Sequence, residues 1–397
     1  MLAGLIFATE DADDRPDTLA ATLPFGGMSL VEYQARLLIA AGAQHILVAV
    51  SRVTPALLGA VSRIKRRGVT VDMVRSAQEA AAKAHPLAEV VVFADSLVTT
   101  DAVAARMAGA SSDTLLITED DGSAPAVERI DAAHCWAGIA KIGAGRLGEI
   151  AAMPREYDFQ STLLRIAVQS GARQMRLPDA AVKSGHGIER AAAALATRSN
   201  AVIANLAGQR RGWADRFFFT PISRLLLPKL VARGVPDWTM IAGGGTVAAA
   251  TIVATALGYV QIAFPFSLVA VALFSTGSLL SWLRGDDARA RLQESAIQIV
   301  AAAMILVAGI ALTLTTAPST AFEPTALVLA LALIAFATIA ERVPVPKRAW
   351  YGSASAYLLL LAVPVAAGYA LGGLAVVAAY AAATLAAAVE AIRTKPA

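Results

Sequence analysis

Cysteine is almost missing from this chain: Cys135 is the only one in 397 residues, so no disulfide framework holds the fold together. Charge is scarce too, at 16% of residues against the ~25% of ordinary globular chains. Polar low-complexity tracts are absent, which excludes a disordered or fibrous chain. A formal net charge of only +4 gives no basic field for nucleic acid, so no nucleic-acid partner is expected. What is present is apolar: 57% of residues, with a mean hydropathy of +0.59. The charge that exists is also uneven, because only fourteen charged residues follow Trp238. Two physical regimes share the chain. The expected fold is an α/β parallel-sheet domain over 1–205, an interfacial amphipathic helix and linker over 206–238, and an all-α transmembrane domain of six helices over 239–397.

Apolar stretches at 239–261, 264–283, 295–316, 324–340, 353–368 and 372–392 each cross, or nearly cross, a hydrocarbon core ~30 Å thick. Backbone amides in lipid must be satisfied within their own segment, and the Ala/Leu/Val runs show no ten-residue alternation, so helices are expected and a barrel is not. Arg284, Arg289 and Arg291 lie between the second and third stretches, Arg342, Lys347 and Arg348 between the fourth and fifth, and Arg393 and Lys395 after the sixth. The alternate loops carry no Lys or Arg. The positive-inside rule then puts the N-terminal half, both basic loops and the C-terminus in the cytoplasm, with the protein multi-pass in the cytoplasmic (inner) membrane. Upstream, Phe217, Phe218, Phe219, Ile222, Leu225 and Leu226 alternate with Arg216, Arg224, Lys229 and Arg233, the pattern of a basic helix lying in the interface and broken by Pro221 and Pro228.

The first 205 residues alternate β-branched runs with helical stretches. Leu2–Ala8, His45–Val50, Val69–Val74, Val90–Ala94 and Thr114–Thr118 are expected as strands, and 29–42, 54–67, 76–85, 99–109 and 160–171 as helices. That alternation predicts βαβ units and a mostly parallel sheet, with ligands at the carboxyl ends of the strands. Leu2–Ala8 is apolar, but no basic residue precedes it and Glu10, Asp11, Asp13 and Asp14 follow at once, so a buried strand is expected there and not a signal peptide. His45, His85, His134 and His186 are too scattered to predict a metal site, and Ser184-Gly-His186 lacks a nucleophile elbow.

Two stretches carry family resemblances. Leu23-Pro-Phe-Gly-Gly-Met-Ser-Leu-Val-Glu-Tyr33 followed by Leu37-Leu-Ile-Ala-Ala-Gly-Ala-Gln-His-Ile-Leu-Val-Ala-Val50 resembles the sugar-phosphate nucleotidylyltransferase family. The resemblance implies nucleotide contacts at Gly26 and Gly27 and a metal-binding role for Asp95, with Asp179 as the second carboxylate for Mg²⁺. A lone aspartate at a strand end has the ordinary alternative of a loop or cap residue. The sequence departs from the family where a glycine-rich basic loop should follow the first strand: Thr9-Glu-Asp-Ala-Asp-Asp-Arg-Pro16 stands there, and Met28 replaces a lysine. Carboxylates facing a triphosphate would repel it.

The segment from Thr220 to Thr239 resembles the approach to the first membrane helix of the CDP-alcohol phosphotransferase family, in which a cytidylyltransferase-like domain is sometimes fused ahead of the membrane domain. That family carries the signature D-x-x-D-G-x-x-A-R-x8-G-x-x-x-D-x-x-x-D. Gly285, Ala288 and Arg289 match its core, while the four aspartate positions hold Ser281, Arg284, Ala302 and Leu306, and the later glycine position holds Gln298. The resemblance implies phospholipid headgroup synthesis at the cytoplasmic face with Mg²⁺ or Mn²⁺ as cofactor. A CDP-linked substrate and a membrane lipid would be the partners, and a homodimer could form through the membrane domain. Asp286 and Asp287, with Glu294, are the carboxylates left for a displaced catalytic cluster, and Gly285, Arg289, Arg291 and Arg224 are candidates for substrate phosphate. The competing expectation is a non-catalytic homologue that binds a lipid or a partner, in which these charges form an ordinary cytoplasmic loop. A transporter is the weakest option, because the apolar stretches hold no buried ionisable residue and no clear inverted repeat.

Overall fold

The computed structural model describes residues 1–119, 128–154, 157–208, 212–316, 325–343 and 348–393. The chain forms two compact units, Met1–Asn205 and Leu206–Ala397.

The first unit is built on seven strands: β1 (Leu2–Ala8), β2 (His45–Val50), β3 (Thr70–Val74), β4 (Glu89–Phe93), β5 (Thr114–Glu119), β6 (His134–Gly143) and β7 (Arg173–Arg176), in the spatial order β7-β5-β6-β4-β1-β2-β3. β1 pairs in parallel with β2 and β4, β2 with β3, and β5 with β7. β6 runs antiparallel to both β4 and β5. Every residue of β2 and all of β1 beyond Leu2 are buried, as continuous apolar strands must be when helices cover both faces. Those helices are α1 (Leu30–Ala40), α2 (Pro55–Lys65), α3 (Ala77–Lys83), α4 (Asp101–Ala108), α5 (Ala144–Ala151), α6 (Phe159–Gln169), α7 (Asp179–Lys183) and α8 (Ala192–Gly208). Their starts follow local chemistry. Ser29 and Glu32 form a capping box on α1, Thr54 accepts from the Leu57 amide at 3.2 Å, and Ser76 accepts from the Glu79 amide at 3.3 Å.

The sequence pattern did not predict β6. Gly138 and Lys141 interrupt its apolar run, yet the fold requires both. Gly138 has φ +82°, and the buried Lys141 ammonium donates to the carbonyls of Ala108 and Ala110 at 2.9 and 2.6 Å, closing the end of α4. The acidic segment after β1 is likewise folded into the protein. Asp11 pairs with Arg52, Glu10 with Arg190 at 3.3 Å, and Asp14 accepts from the Ala192 amide at 2.9 Å, capping α8.

His186 gives the first testable consequence. It is buried, with Nε2 at 2.9 Å from the Ala137 carbonyl and Nδ1 at 2.9 Å from Thr99 Oγ1. Burial, helped by the nearby Arg198 charge, lowers its pKa from 6.5 to about 4, so the ring is neutral and donates from Nε2. The unfolded chain takes up a proton between those two values that the folded chain refuses. Stability of the unit should therefore be complete above pH 6.5 and fall by up to about 3 kcal/mol as pH drops toward 4. Amide hydrogen exchange of β6 against pH, in the full chain, reads this directly, and His186→Gln should flatten the profile.

The second unit is helical. A π-helical turn at Asp215–Phe219 leads into α9 (Thr220–Ala232), followed by α10 (Asp237–Ala256), α11 (Val260–Leu283), α12 (Asp287–Thr316), α13 (Thr325–Arg342), α14 (Ala354–Ala366) and α15 (Ala370–Arg393). α9 is continuous with the turn before it and runs unbroken through both Pro221 and Pro228. Phe217, Phe218, Leu225 and Leu226 are exposed along this segment. Five helices are long and apolar enough to cross a membrane: α10, α11, α12, α13 and α15. The expected fifth span, 353–368, is the exception. Ser353 caps α14 at one end and Gly368, at φ +82°, turns the chain at the other, leaving 13 residues that rise about 20 Å against a core of ~30 Å. Among the described residues five helices are thus long enough to cross and α14 is a shorter apolar helix, so the expected count of six is not confirmed. Lys347 and Lys395, two of the cations used for orientation, lie outside the described residues.

Small residues set the helix crossings. A Cβ on Gly309 would stand 2.6 Å from that of Ala330, one on Gly277 2.6 Å from that of Met240, and one on Gly373 2.5 Å from Pro364 Cγ. α12 with α13, α10 with α11, and α14 with α15 therefore approach at backbone distance. Phe264, Phe274, Met304, Leu333, Leu358 and Leu361 fill the core between them.

Candidate functional site

Asp95 follows β4 at the sheet edge where ligands bind in such folds, but its carboxylate is already occupied. Oδ2 accepts from the Thr9 amide at 2.6 Å, Thr9 Oγ1 at 3.1 Å and the Glu10 amide at 2.9 Å, and Oδ1 accepts from Ser96 Oγ at 2.9 Å. Burial raises the carboxyl above its ordinary range while these donors oppose the shift. The side chain ties the loop after β1 to the end of β4. Gly26 and Gly27, with φ of +59° and +85°, form the two-residue turn between the short strands Pro24–Phe25 and Met28–Ser29. Both positions need left-handed backbone, the type I′ hairpin pattern, which accounts for the glycine pair without a ligand. Asp179 is exposed at the first position of α7.

A cavity of about 380 Å³ does lie at this edge, around Thr9, Ser51, Arg75, Gln78, Tyr157 and Phe159. Gln78 Nε2 donates to the Ala151 carbonyl at 2.7 Å, whereas its buried Oε1 has no hydrogen-bond partner among the described residues. A buried acceptor without a donor costs about 1–3 kcal/mol, so this oxygen marks a place where a ligand donor fits. None of these residues had been singled out from the sequence. The signal available was the polar run Arg75-Ser-Ala-Gln78 directly after β3.

In the helical unit the turn between α11 and α12 carries the signature-like residues. Gly285, at φ +72°, ends α11, with its amide donating to the Trp282 carbonyl at 2.9 Å. Asp286 caps α12 by accepting from the Arg289 amide at 3.0 Å, and its other oxygen meets Arg289 Nε at 3.2 Å. Arg284 donates to the Val235 carbonyl at 2.7 Å and pairs with the buried Asp237, which lies 4.0 Å from Arg289. Arg291 and Arg224 are exposed, and Asp287 is the first residue of α12, its side chain lying outside those described. A divalent cation does not fit this donor set. Asp237 and Asp286 already hold arginines, Arg284 stands where the signature would have an aspartate, and no group of three His, Cys, Asp or Glu suited to a metal occurs among the described residues.

A second cavity, of about 250 Å³, lies on the next turns of α12. Asp215, Glu294, Gln298, Glu341, Arg348 and Ser355 are among its lining residues. Ser355 Oγ donates to Asp215 Oδ1 at 3.0 Å, and Ser353 Oγ accepts from the Ala356 amide at 3.3 Å, fixing the start of α14. Gln298, Glu341 and Ala354 also line a neighbouring groove of about 60 Å³ that continues between Ala301, Ala302, Ile305, Ile334, Ala337 and Tyr357. Polar cavity and apolar groove thus lie side by side, sharing Gln298, Glu341 and Ala354 as walls.

No protein-family profile and no curated protein matches this chain. Among solved structures it is similar to a UDP-glucose pyrophosphorylase complexed with UDP-glucose, at 10% identity and a TM-score of 0.37 over 52% of this chain and 99% of that one. It is also similar to an inositol-1-phosphate CTP transferase from T. maritima, at 13% identity and a TM-score of 0.36 over 45% and 85%. Both likenesses fall on the N-terminal half.

Arg289 and Asp286 are brought together with each other and, through Asp237, with Arg284. Glu294, named among the displaced carboxylates, instead faces the cavity with Gln298. Gln298 and Ala302, where the family signature has glycine and aspartate, line the cavity and the groove respectively. Asp215, Glu341, Arg348 and the two serines were missed, because they come from four separated stretches of sequence.

Proposed function

We propose that this chain is a multi-pass protein of the cytoplasmic membrane, with both termini in the cytoplasm, that holds a membrane lipid in its helical unit. It is the non-catalytic branch of the two expectations: a relative of CDP-alcohol phosphotransferases without metal-dependent phosphoryl transfer. The observation that carries this reading is the polar cavity beside an apolar groove along one face of α12, which suits an amphiphile with its headgroup in the cavity and the start of its chain along the groove. The arginine-occupied carboxylates at the α11–α12 turn support the loss of metal chemistry. The orientation rests on the cations Arg284, Arg289, Arg291, Arg342, Arg348 and Arg393, which share one side when α14 and α15 return the chain across the membrane.

Native mass spectrometry of the detergent-purified full chain should show retained lipid, and Ala302→Phe, which fills the groove, should lower its occupancy about tenfold or more. With CDP-diacylglycerol or CDP-inositol and Mg²⁺ or Mn²⁺ the protein should release no CMP. Release of CMP that is lost on Asp286→Ala would reinstate a transferase.

A second reading concerns the α/β unit alone. The unpartnered Gln78 Oε1 in the cavity at the strand ends favours binding of a nucleobase or similar amide-edged ligand there. Isothermal titration with CTP and UTP tests it, and binding that is unchanged by Gln78→Leu would remove it.

A further inference from the structure

The α12 cavity has a charge pattern that narrows the lipid beyond amphiphilicity. Among its described lining residues are three carboxylates, Asp215, Glu294 and Glu341, against one guanidinium, Arg348. Asp215 and Glu341 are engaged within the protein and set the sign of the local field. Glu294 and Arg348 form no ion pair with each other or with any other described residue, although both line the same 250 Å³. Both side chains are exposed, and two charges of opposite sign on one cavity offer a ligand carrying both signs a contact for each. An anionic headgroup of phosphate and hydroxyls would meet Arg348 but leave Glu294 and the surplus carboxylates facing negative charge. A purely cationic group would leave the guanidinium without an anion. The volume is below the ~300–1,000 Å³ of sites for drug-sized ligands, so it suits a headgroup better than a nucleotide.

We infer that the cavity selects a zwitterionic phospholipid headgroup, a phosphodiester bearing a primary amine, with the phosphate at Arg348 and the amine at Glu294. The inference rests on the lipid-binding reading of the same cavity. The test is lipid competition on the purified full chain in nanodiscs holding equal amounts of phosphatidylethanolamine and phosphatidylglycerol with matched acyl chains, read by native mass spectrometry. The expected result is enrichment of the ethanolamine lipid by about tenfold. Glu294→Gln should bring the ratio near one while total bound lipid persists, and Arg348→Gln should weaken both lipids. Equal binding, or preference for the glycerol lipid, by the unmutated protein overturns the headgroup assignment and leaves the lipid-binding reading standing. Absence of either lipid overturns both. Soluble phosphoethanolamine that displaces the lipid at comparable concentration would make the free phosphoamine the ligand and overturn the lipid source. The unmutated protein decides the main question, so a variant that fails to fold does not leave it open.

Discussion

Truncating Asp95 to alanine should destabilise the α/β unit by about 3 kcal/mol, whereas Asp95→Asn should cost no more than ~1 kcal/mol. The alanine removes the acceptor for the Thr9 and Glu10 amides and two hydroxyls, releasing the loop after β1 from the end of β4. Asparagine keeps an oxygen for the three donors at Oδ2 and can offer its NH₂ to Ser96 Oγ. Burial raises the Asp95 pKa, so the folded chain holds this proton more tightly than the unfolded chain, whose carboxyl titrates near 3.8. The contribution of Asp95 is therefore largest below that value and shrinks as pH rises through the higher folded pKa, a loss that asparagine abolishes. Hydrogen-exchange protection of β1 and β4 amides in the full chain measures both variants across pH. A metal ligand would behave oppositely, with both substitutions leaving the fold intact and abolishing cation-dependent nucleotide binding. That outcome would return Asp95 to the role implied by the nucleotidylyltransferase resemblance.

The α/β unit was legible where burial is continuous. β1 and β2 are solid apolar runs because both sheet faces are covered, and their ends fall where the pattern puts them. β7, with Arg-Gln-Met-Arg over 173–176, was hidden because an edge strand has only one neighbour and can stay polar. The acidic stretch after β1 reads as repulsive to phosphate only when its charges are taken as unpaired. Arg52 and Arg190, the partners that neutralise Asp11 and Glu10, lie more than forty residues away in sequence. No local pattern reports such pairings.

In the helical unit hydropathy located every helix but misjudged one length. The 353–368 stretch is apolar throughout, and hydropathy is blind to a serine cap and a left-handed glycine that together trim it to α14. At two positions where the resembled signature has aspartates, the surroundings were not legible: Ser281 Oγ accepts from the buried Gln293 Nε2 at 2.9 Å, and Ala302 lines an apolar groove. The cavity itself depends on side chains from the turn before α9, from α12 and α13, and from the start of α14, so no motif spacing could assemble it.

Arg284 leads to the prediction with the largest expected effect. Asp237→Ala should destabilise the helical unit by about 3–5 kcal/mol, because it strips the partner from a guanidinium whose side chain is only 17% exposed. Arg284→Met should cost a similar amount, since the Asp237 carboxylate, 7% exposed, is left with Arg289 at 4.0 Å. The double variant Asp237→Ala with Arg284→Met should recover most of the loss, because replacing both members of a buried pair by apolar side chains is close to neutral. Thermal unfolding of the four proteins in one detergent closes the cycle and isolates the coupling. Strong coupling means that Arg284 is spent on joining α11 to the start of α10, which leaves it no freedom to serve a substrate phosphate and keeps a positive charge where the transferase reading needs a cation-binding aspartate. If Asp237→Ala instead unfolds at the temperature of the unmodified protein, Arg284 is not held by the pair, and the α11–α12 turn regains a basic group able to meet phosphate.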